Sequence, residues 1–563
     1  MSKLRELASD TVVYGISSVV ARFVNYLLVP LHTALFVPAD YVVVGLAYGA
    51  IALLNVFFTF GFESSYLKYS KNREEAPSVF KSSQLFLGVF ASVLVALLVM
   101  FKGDVVPLLE LTPETMSIFW LIAAILWLDS LMIVPFAELR VARRTFVFAW
   151  LKMFHVAVNV GLNLVLLLVL DMGVEAVFWS NAVASALTAL WVWSVTADVF
   201  RQGLFEGRLL WQSLAFAWPF IPAGIGHAIN EMFDRFFLAA MPADRAAALY
   251  GAGVTPEEVA GIYNGSYKLA VFMLLFIQMF RMAWQPFFMR HSDNPRAPKL
   301  FARAFTGLNL VAALIFLAVG LFVKEIASLQ IPYIGVSLLS SDYHSGLFIV
   351  PILMAAYWLY GWYIHFSAAI YIQGNTKVFS GIMIAGAAVT ITANYYLVPL
   401  FGMLGAAVAT LLSYLTMALL LLAVAQSRWP VPYRVWTGLF MIGFLLAGVW
   451  FEHQMATLLY EWNLLSTPDP MKWKIGFGSV LFVMLLISAW RWRAKAREEE
   501  ASEEWETEPN TDAETDSEEP FHAEKDSGIE TLVEDDQADD AQSSDEHTDR
   551  TDPDPDSVHE PRS

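Results

Sequence analysis

No cysteine occurs among the 563 residues. Disulfide frameworks, thiolate metal sites and cysteine nucleophiles are therefore excluded, while the redox compartment stays open. Charge is also scarce: Asp, Glu, Lys and Arg make up 16% of the chain, against 57% hydrophobic residues. That apolar share exceeds what a soluble globular chain carries and points to a polytopic membrane protein. Signatures of catalysis are equally thin. Gly251-Ala252-Gly253 lacks the third glycine and the following lysine of a phosphate cradle, and no HExxH occurs. Connections between apolar runs reach only about 20 residues, which leaves little room for a catalytic domain. The expectation is a non-enzyme with no cofactor, no metal and no nucleic-acid partner.

What is present is a succession of apolar runs, each about long enough to cross a hydrocarbon core. They fall near 11-36, 41-61, 83-101, 116-136, 150-170, 174-197, 214-241, 261-283, 303-323, 346-370, 378-398, 402-425, 433-451 and 474-490. The reading is an all-α integral membrane protein with about fourteen spans. The first run is too long for a signal-peptide core and is followed by no Ala-x-Ala-like cleavage site, so it is expected to remain. Placing the N-terminus in the cytoplasm puts 24 Lys and Arg in inside connections and five outside, as membrane proteins prefer. Both termini are then cytoplasmic.

The formal charge of −18 is unevenly spread. From Glu498 onward the chain holds 27 of the 53 acidic residues and three of the 35 basic ones, leaving a net of +6 on the rest. Residues 498-563, rich in Asp, Glu, Ser, Thr and Pro, cannot bury enough apolar surface to offset ordering entropy. They read as a disordered acidic cytoplasmic tail. A weak internal repeat, offset by about 220 residues, pairs Asn163, Gly173 and Ala176 with Asn394, Gly402 and Gly405. It suggests two parallel six-helix lobes, 1-213 and 214-426, around a central crevice, with spans 13 and 14 in 427-497.

Three cations fall inside spans: Arg22, Arg235 and Lys268. A membrane cation costs a few kcal/mol or more unless it meets a partner or a wet cavity. Arg22 lies deep in its span, with Asn25 on the same face three residues on. It reads as a cavity cation, an interhelical pair being the alternative. In HAINEMFDRFFLAAM (His227 to Met241), His227, Glu231 and Arg235 recur at four-residue spacing, and Glu231 and Asp234 can neutralise Arg235 locally. Lys268 has no acid in helical register and can either line the crevice or snorkel outward. Asp129 reads as a partner for a neighbouring cation more readily than as a proton site. His155, Asn159 and Asn163 form a stripe suited to holding helices together, and His227 and His365 read as packing histidines.

Several stretches, taken in order, carry a resemblance. YGISSVVARFVNYLLVPLHT is followed by PADYVVVGL, FGFESSYLKY, NEMFDRFFLA, AGIYNGSYKLA and NYYLVPLFGMLGAAVATLLSY. Across most of residues 1 to 490 the chain resembles the polysaccharide biosynthesis, or oligosaccharide flippase, family of the multidrug/oligosaccharidyl-lipid/polysaccharide (MOP) exporter superfamily. It departs at Val42, where the family often has Gly, in the connection from Asp244 to Glu258, and in the acidic tail. The resemblance implies a bacterial inner-membrane protein that moves undecaprenyl-pyrophosphate-linked oligosaccharide by alternating access, alongside membrane lipids and other polysaccharide-assembly proteins. Arg22 would then bind the pyrophosphate, assisted by Asn25, Lys268 and Arg235. A lipid II flippase and a drug or cation exporter of the same superfamily are the alternatives.

Overall fold

The computed structural model describes residues 28–70, 72–291, 294–331, 335–372, 377–461 and 474–487. Arg22, Asn25 and the acidic tail lie outside the described residues. The described chain is helical, and its β content is an isolated bridge between Gln330 and Ser337. In order the helices are α1 Leu28–Leu35, α2 Pro38–Thr59, α3 Phe62–Tyr69, α4 Ala76–Met100, α5 Lys102–Leu108, α6 Ser117–Val141, α7 Thr145–Leu168, α8 Glu175–Gln202, α9 Gly207–Ala217 and α10 Phe220–Ala239. They continue with α11 Ala243–Tyr250, α12 Pro256–Tyr267, α13 Val271–His291, α14 Ala297–Leu321, α15 Val323–Ala327, α16 Val350–Ile372, α17 Lys377–Phe401, α18 Met403–Arg428, α19 Val435–Glu461 and α20 Lys474–Ile487. Short 3-10 turns at Lys268–Ala270 and Ser341–Ile349 lead into α13 and α16.

Eleven helical segments among the described residues are long and apolar enough to cross a membrane. Three of the fourteen expected spans are not among them, each for an identifiable reason. The run at 11-36 enters the described residues only at Leu28. The run at 474-490 is described as a short apolar helix, Lys474–Ile487. The run at 214-241 is divided: α9 ends at Ala217 and α10 begins at Phe220. Pro219 in the gap has no N–H to donate and its ring opposes continuation of the preceding turn. Glu231, Asp234 and Arg235 then make α10 more polar than an ordinary span.

Local signals set the other boundaries. Pro38, Pro77 and Pro256 stand in first turns, where the missing N–H costs nothing. Thr255 caps α12 by accepting the Glu258 N–H at 3.2 Å. Between α2 and α3 the chain turns through Phe60 and Gly61, both with positive φ. A Cβ at Gly61 would also stand 3.0 Å from the Ala217 carbonyl oxygen.

Helices α6, α7 and α8 pack together, as do α10, α17 and α18, while α16 packs against α13 and α18. Helix α2 joins sequence-distant parts, lying against α12 and α10. Glycines make this seam close. A Cβ on Gly261 would stand 1.7 Å from the Pro38 carbonyl oxygen, and one on Gly45 2.9 Å from Cγ of Asn264. Farther along α2, Gly49 faces Phe236, and Gly224 on α10 faces Val56. Of the small residues on these two helices, Gly261 brings backbone against backbone, whereas Gly45 and Gly49 receive the Asn264 and Phe236 side chains and Gly265 the Tyr343 ring.

Candidate functional site

The polar centre of the molecule is built on α10. Asn230, Asp234 and Arg235 are buried there, with Glu231 half-buried beside them. The Arg235 side chain is 3% exposed and that of Asp234 2%, so neither charge is answered by water. Arg235 Nη1 donates to Asp234 Oδ1 at 3.2 Å and to the Glu231 carbonyl oxygen at 2.9 Å, while Nε donates to Asn264 Oδ1 at 3.0 Å. Its guanidinium lies 4.5 Å from the centre of the Tyr267 ring. The other Asp234 oxygen accepts from the Tyr263 hydroxyl at 2.6 Å. A buried ion pair persists when its remaining valences are satisfied in this way. The notch at Gly45 on α2 admits the Asn264 amide that completes the set.

Of the two acids expected to neutralise Arg235, Asp234 does so through its carboxylate and Glu231 does not. Arg235 uses the backbone oxygen of Glu231, and the Glu231 carboxylate turns to Tyr357 and Tyr414, whose hydroxyls both donate to it. Two phenols from α16 and α18 satisfy this half-buried carboxylate, so the shorter Asp234 takes the guanidinium. The Tyr267 and Tyr357 hydroxyls are also hydrogen-bonded. One continuous polar network thus ties α10, α12, α16 and α18. Asn230, one residue before Glu231, accepts from Thr390 at 2.8 Å and from Ser413 at 3.2 Å. His227 is exposed, away from this network.

Lys268 stands where α12 gives way to a 3-10 turn, partly exposed and with no ion pair or hydrogen bond among the described residues. The residue before it, Tyr267, carries the ring that the Arg235 guanidinium faces at 4.5 Å. Asp129 is remote from this group. It accepts from Ser185 Oγ at 2.8 Å and feels the charge of Lys152, whose ammonium sits 4.2 Å from the Phe136 ring. His155 shares a 3.3 Å hydrogen bond with Thr188, and Asn159 and Asn163 bond to each other on α7. His365 is fully buried and stacks on Trp284 with ring centres 4.2 Å apart.

The structure therefore brings together Glu231, Asp234, Arg235 and Lys268 and leaves His227 and Asp129 elsewhere. Sequence reasoning passed over Tyr263, Asn264, Tyr267, Tyr357 and Tyr414. Tyr263 and Tyr267 were within reach, since they stand four apart in the same YNGSYK stretch as Lys268. Tyr357 and Tyr414 lie in apolar runs where nothing local separates them from packing residues.

Comparison with known proteins places the chain. The profile of the family described as polysaccharide biosynthesis protein matches residues 7–292. Among curated proteins no sequence matches at a significant level. Among solved structures, an inward-facing multidrug resistance MATE family transporter of the MOP superfamily superposes with a TM-score of 0.54 at 15% identity, covering 72% of this chain and 94% of its own. A MOP superfamily transporter from Pyrococcus furiosus gives 0.52 at 14%, covering 75% and 95%. A mutant MATE transporter from Vibrio cholerae gives 0.50 at 14%, again over 75% and 95%. These likenesses show a shared fold. With the sequence profile spanning half of its length, this multi-pass membrane chain belongs to the polysaccharide biosynthesis protein family and has the fold seen in MOP superfamily transporters.

Proposed function

We propose that this protein moves lipid-linked oligosaccharide, carried on undecaprenyl pyrophosphate, across the bacterial inner membrane by alternating access between two lobes, residues 1–213 and 214–426. The observation that carries this reading is Lys268: a partly exposed ammonium next along the chain from Tyr267, whose ring faces Arg235, with no acid bonded to it among the described residues. A cation left in that state suits a substrate with two phosphates. Arg235 is already neutralised by Asp234 and enclosed, so it acts as the strut that holds α12 and Lys268 in place. Direct contact with the pyrophosphate falls to Lys268 and to Arg22 with Asn25. The Pyrococcus furiosus transporter is described as having reversed pocket polarity that suggests a different function, a precedent for changed substrate charge on this fold.

The test is flipping of a fluorescent lipid-linked oligosaccharide in proteoliposomes. Lys268→Ala and Arg22→Ala should each slow it by tenfold or more, on the order of 1.5–3 kcal/mol for a lost charge-assisted contact. Unchanged flipping in both variants at equal protein content overturns the reading. A second reading, export of a cationic drug, rests on the half-buried Glu231 carboxylate between Tyr357 and Tyr414. It requires the opposite outcome, in which Glu231→Gln abolishes transport of an organic cation and Lys268→Ala does not. Lipid II is distinguished from other lipid-linked glycans by offering both in the same assay.

A further inference from the structure

Tyr343 joins three segments that the charge distribution sets toward the outer side: the turn between α1 and α2, the stretch of α12 that begins at Pro256, and the 3-10 turn Ser341–Ile349 that carries it. It is fully buried among them. Its hydroxyl donates at 2.7 Å to the Phe36 carbonyl, which lies just past the last residue of α1, where helical bonding has stopped. Its ring meets that of Tyr41 on α2 edge-on at 5.8 Å. It also lies over Gly265 of α12, where a Cβ would come within 2.5 Å of the ring. Its own carbonyl accepts from Ser266 Oγ at 3.0 Å.

These contacts join opposite halves of the chain. Phe36 and Tyr41 come from the first, Gly265, Ser266 and Tyr343 from the second. A parallel fastening runs alongside, in which the Ser340 N–H reaches Thr33 Oγ1 at 3.4 Å. Near the same end of α2, the Pro38 carbonyl closes against Gly261 of α12. Gly346, one turn on from Tyr343, is held as closely, since a Cβ there would stand 2.5 Å from Ser266 Oγ and 2.8 Å from the Ile262 side chain. The 3-10 turn is thus seated on α12 and reaches across to α1 and α2 through Ser340 and Tyr343.

We propose that the turn Ser341–Ile349 is the outer bolt of the transport cycle, with Tyr343 as its tip. Fastened, it holds the two halves together on the outer side; it must withdraw from Phe36 before substrate can leave outward. This rests on the flippase reading and adds to it the residue that governs exit. Withdrawal strips a phenol and a backbone carbonyl of their partners, and lipid offers neither a replacement. Water has to take their place, so the bolt slides only as the outer cleft hydrates. A dry, partly parted cleft is therefore the least favourable arrangement, and the two halves stay closed until water enters between them.

The absence of native cysteine permits two direct tests on the full chain. Thr33→Cys alone reports on the joint, because Thr33 is buried beside Ser340. A membrane-impermeant maleimide added to intact cells should label it slowly, and Tyr343→Phe, which keeps the ring and removes the hydroxyl, should speed labelling by about threefold or more. Gly265→Ala, which pushes a methyl group into the ring from the other side, should do the same and serves if the Phe variant folds poorly. In proteoliposomes, oxidising Thr33→Cys/Ser340→Cys to a disulfide should slow flipping of a fluorescent lipid-linked oligosaccharide by about tenfold or more, with recovery on reduction. Oxidation of either single variant should change nothing. Labelling unaltered by both Tyr343→Phe and Gly265→Ala, flipping that continues through a completed bridge, or a pair that forms no bridge overturns the inference and leaves the flippase reading standing. Wild type that does not flip the probe overturns that reading, while labelling still decides whether Tyr343 fastens the outer side.

Discussion

Asp234→Asn removes the carboxylate that bonds the Arg235 guanidinium while leaving a side chain of the same size. The expected result is a loss of about 3–5 kcal/mol, because breaking a buried pair strands the surviving charge. Thermal unfolding in detergent reads this directly. Adding Arg235→Met should recover much of the loss; a double variant as unstable as the sum of the two single changes argues against the pair. At this scale the sequence was partly legible. Helical spacing identified Glu231, Asp234 and Arg235 as one group and offered both acids to the guanidinium, of which the structure uses the Asp234 carboxylate. Local register gives no account of Tyr357 and Tyr414, which arrive from more than a hundred residues away and claim Glu231. Arg22, to which sequence reasoning gave the first role, lies outside the described residues.

Among the elements, α2 has the tightest fit. Gly261→Val would drive side-chain atoms into the Pro38 carbonyl, and no rotamer relieves a clash with backbone. The seam between α2 and α12 should then be unable to close at that end, at a cost of about 1–3 kcal/mol or more. A cysteine introduced on either helix facing the seam should become reactive in Gly261→Val and stay protected in wild type. The natural absence of cysteine makes the experiment free of background. Apolar run length located most of the helices, since a membrane imposes a near-constant span. It missed the division between α9 and α10, where Pro219 decides the matter within an otherwise continuous apolar stretch. The glycine pairs on α2 and α12 were visible in the sequence, but their partners were not, because spacing within a helix does not reveal which helix it meets.

For the whole molecule, the distribution of Lys and Arg carries the strongest expectation: both termini on the cytoplasmic side. Single cysteines placed near each end should resist a membrane-impermeant maleimide added to intact cells and react after permeabilisation. Labelling of one end alone in intact cells would mean an odd number of spans. Removal of residues 498–563 should leave flipping in proteoliposomes within about twofold of wild type, as expected for a solvated extension with little apolar surface to contribute to a fold. A larger loss would assign the tail a role in transport itself.

The glycine seam along α2 also bears on ion leakage. Where Gly261 on α12 meets the Pro38 carbonyl on α2 through backbone atoms, no flexible side chain is available to fill a partial gap, so contact there is either seated to within tenths of an ångström or absent. Such a joint insulates: it leaves no intermediate opening through which ions could run down a gradient during transport. Gly261→Val should therefore raise the passive conductance of planar bilayers containing the protein, whereas wild type should remain electrically silent.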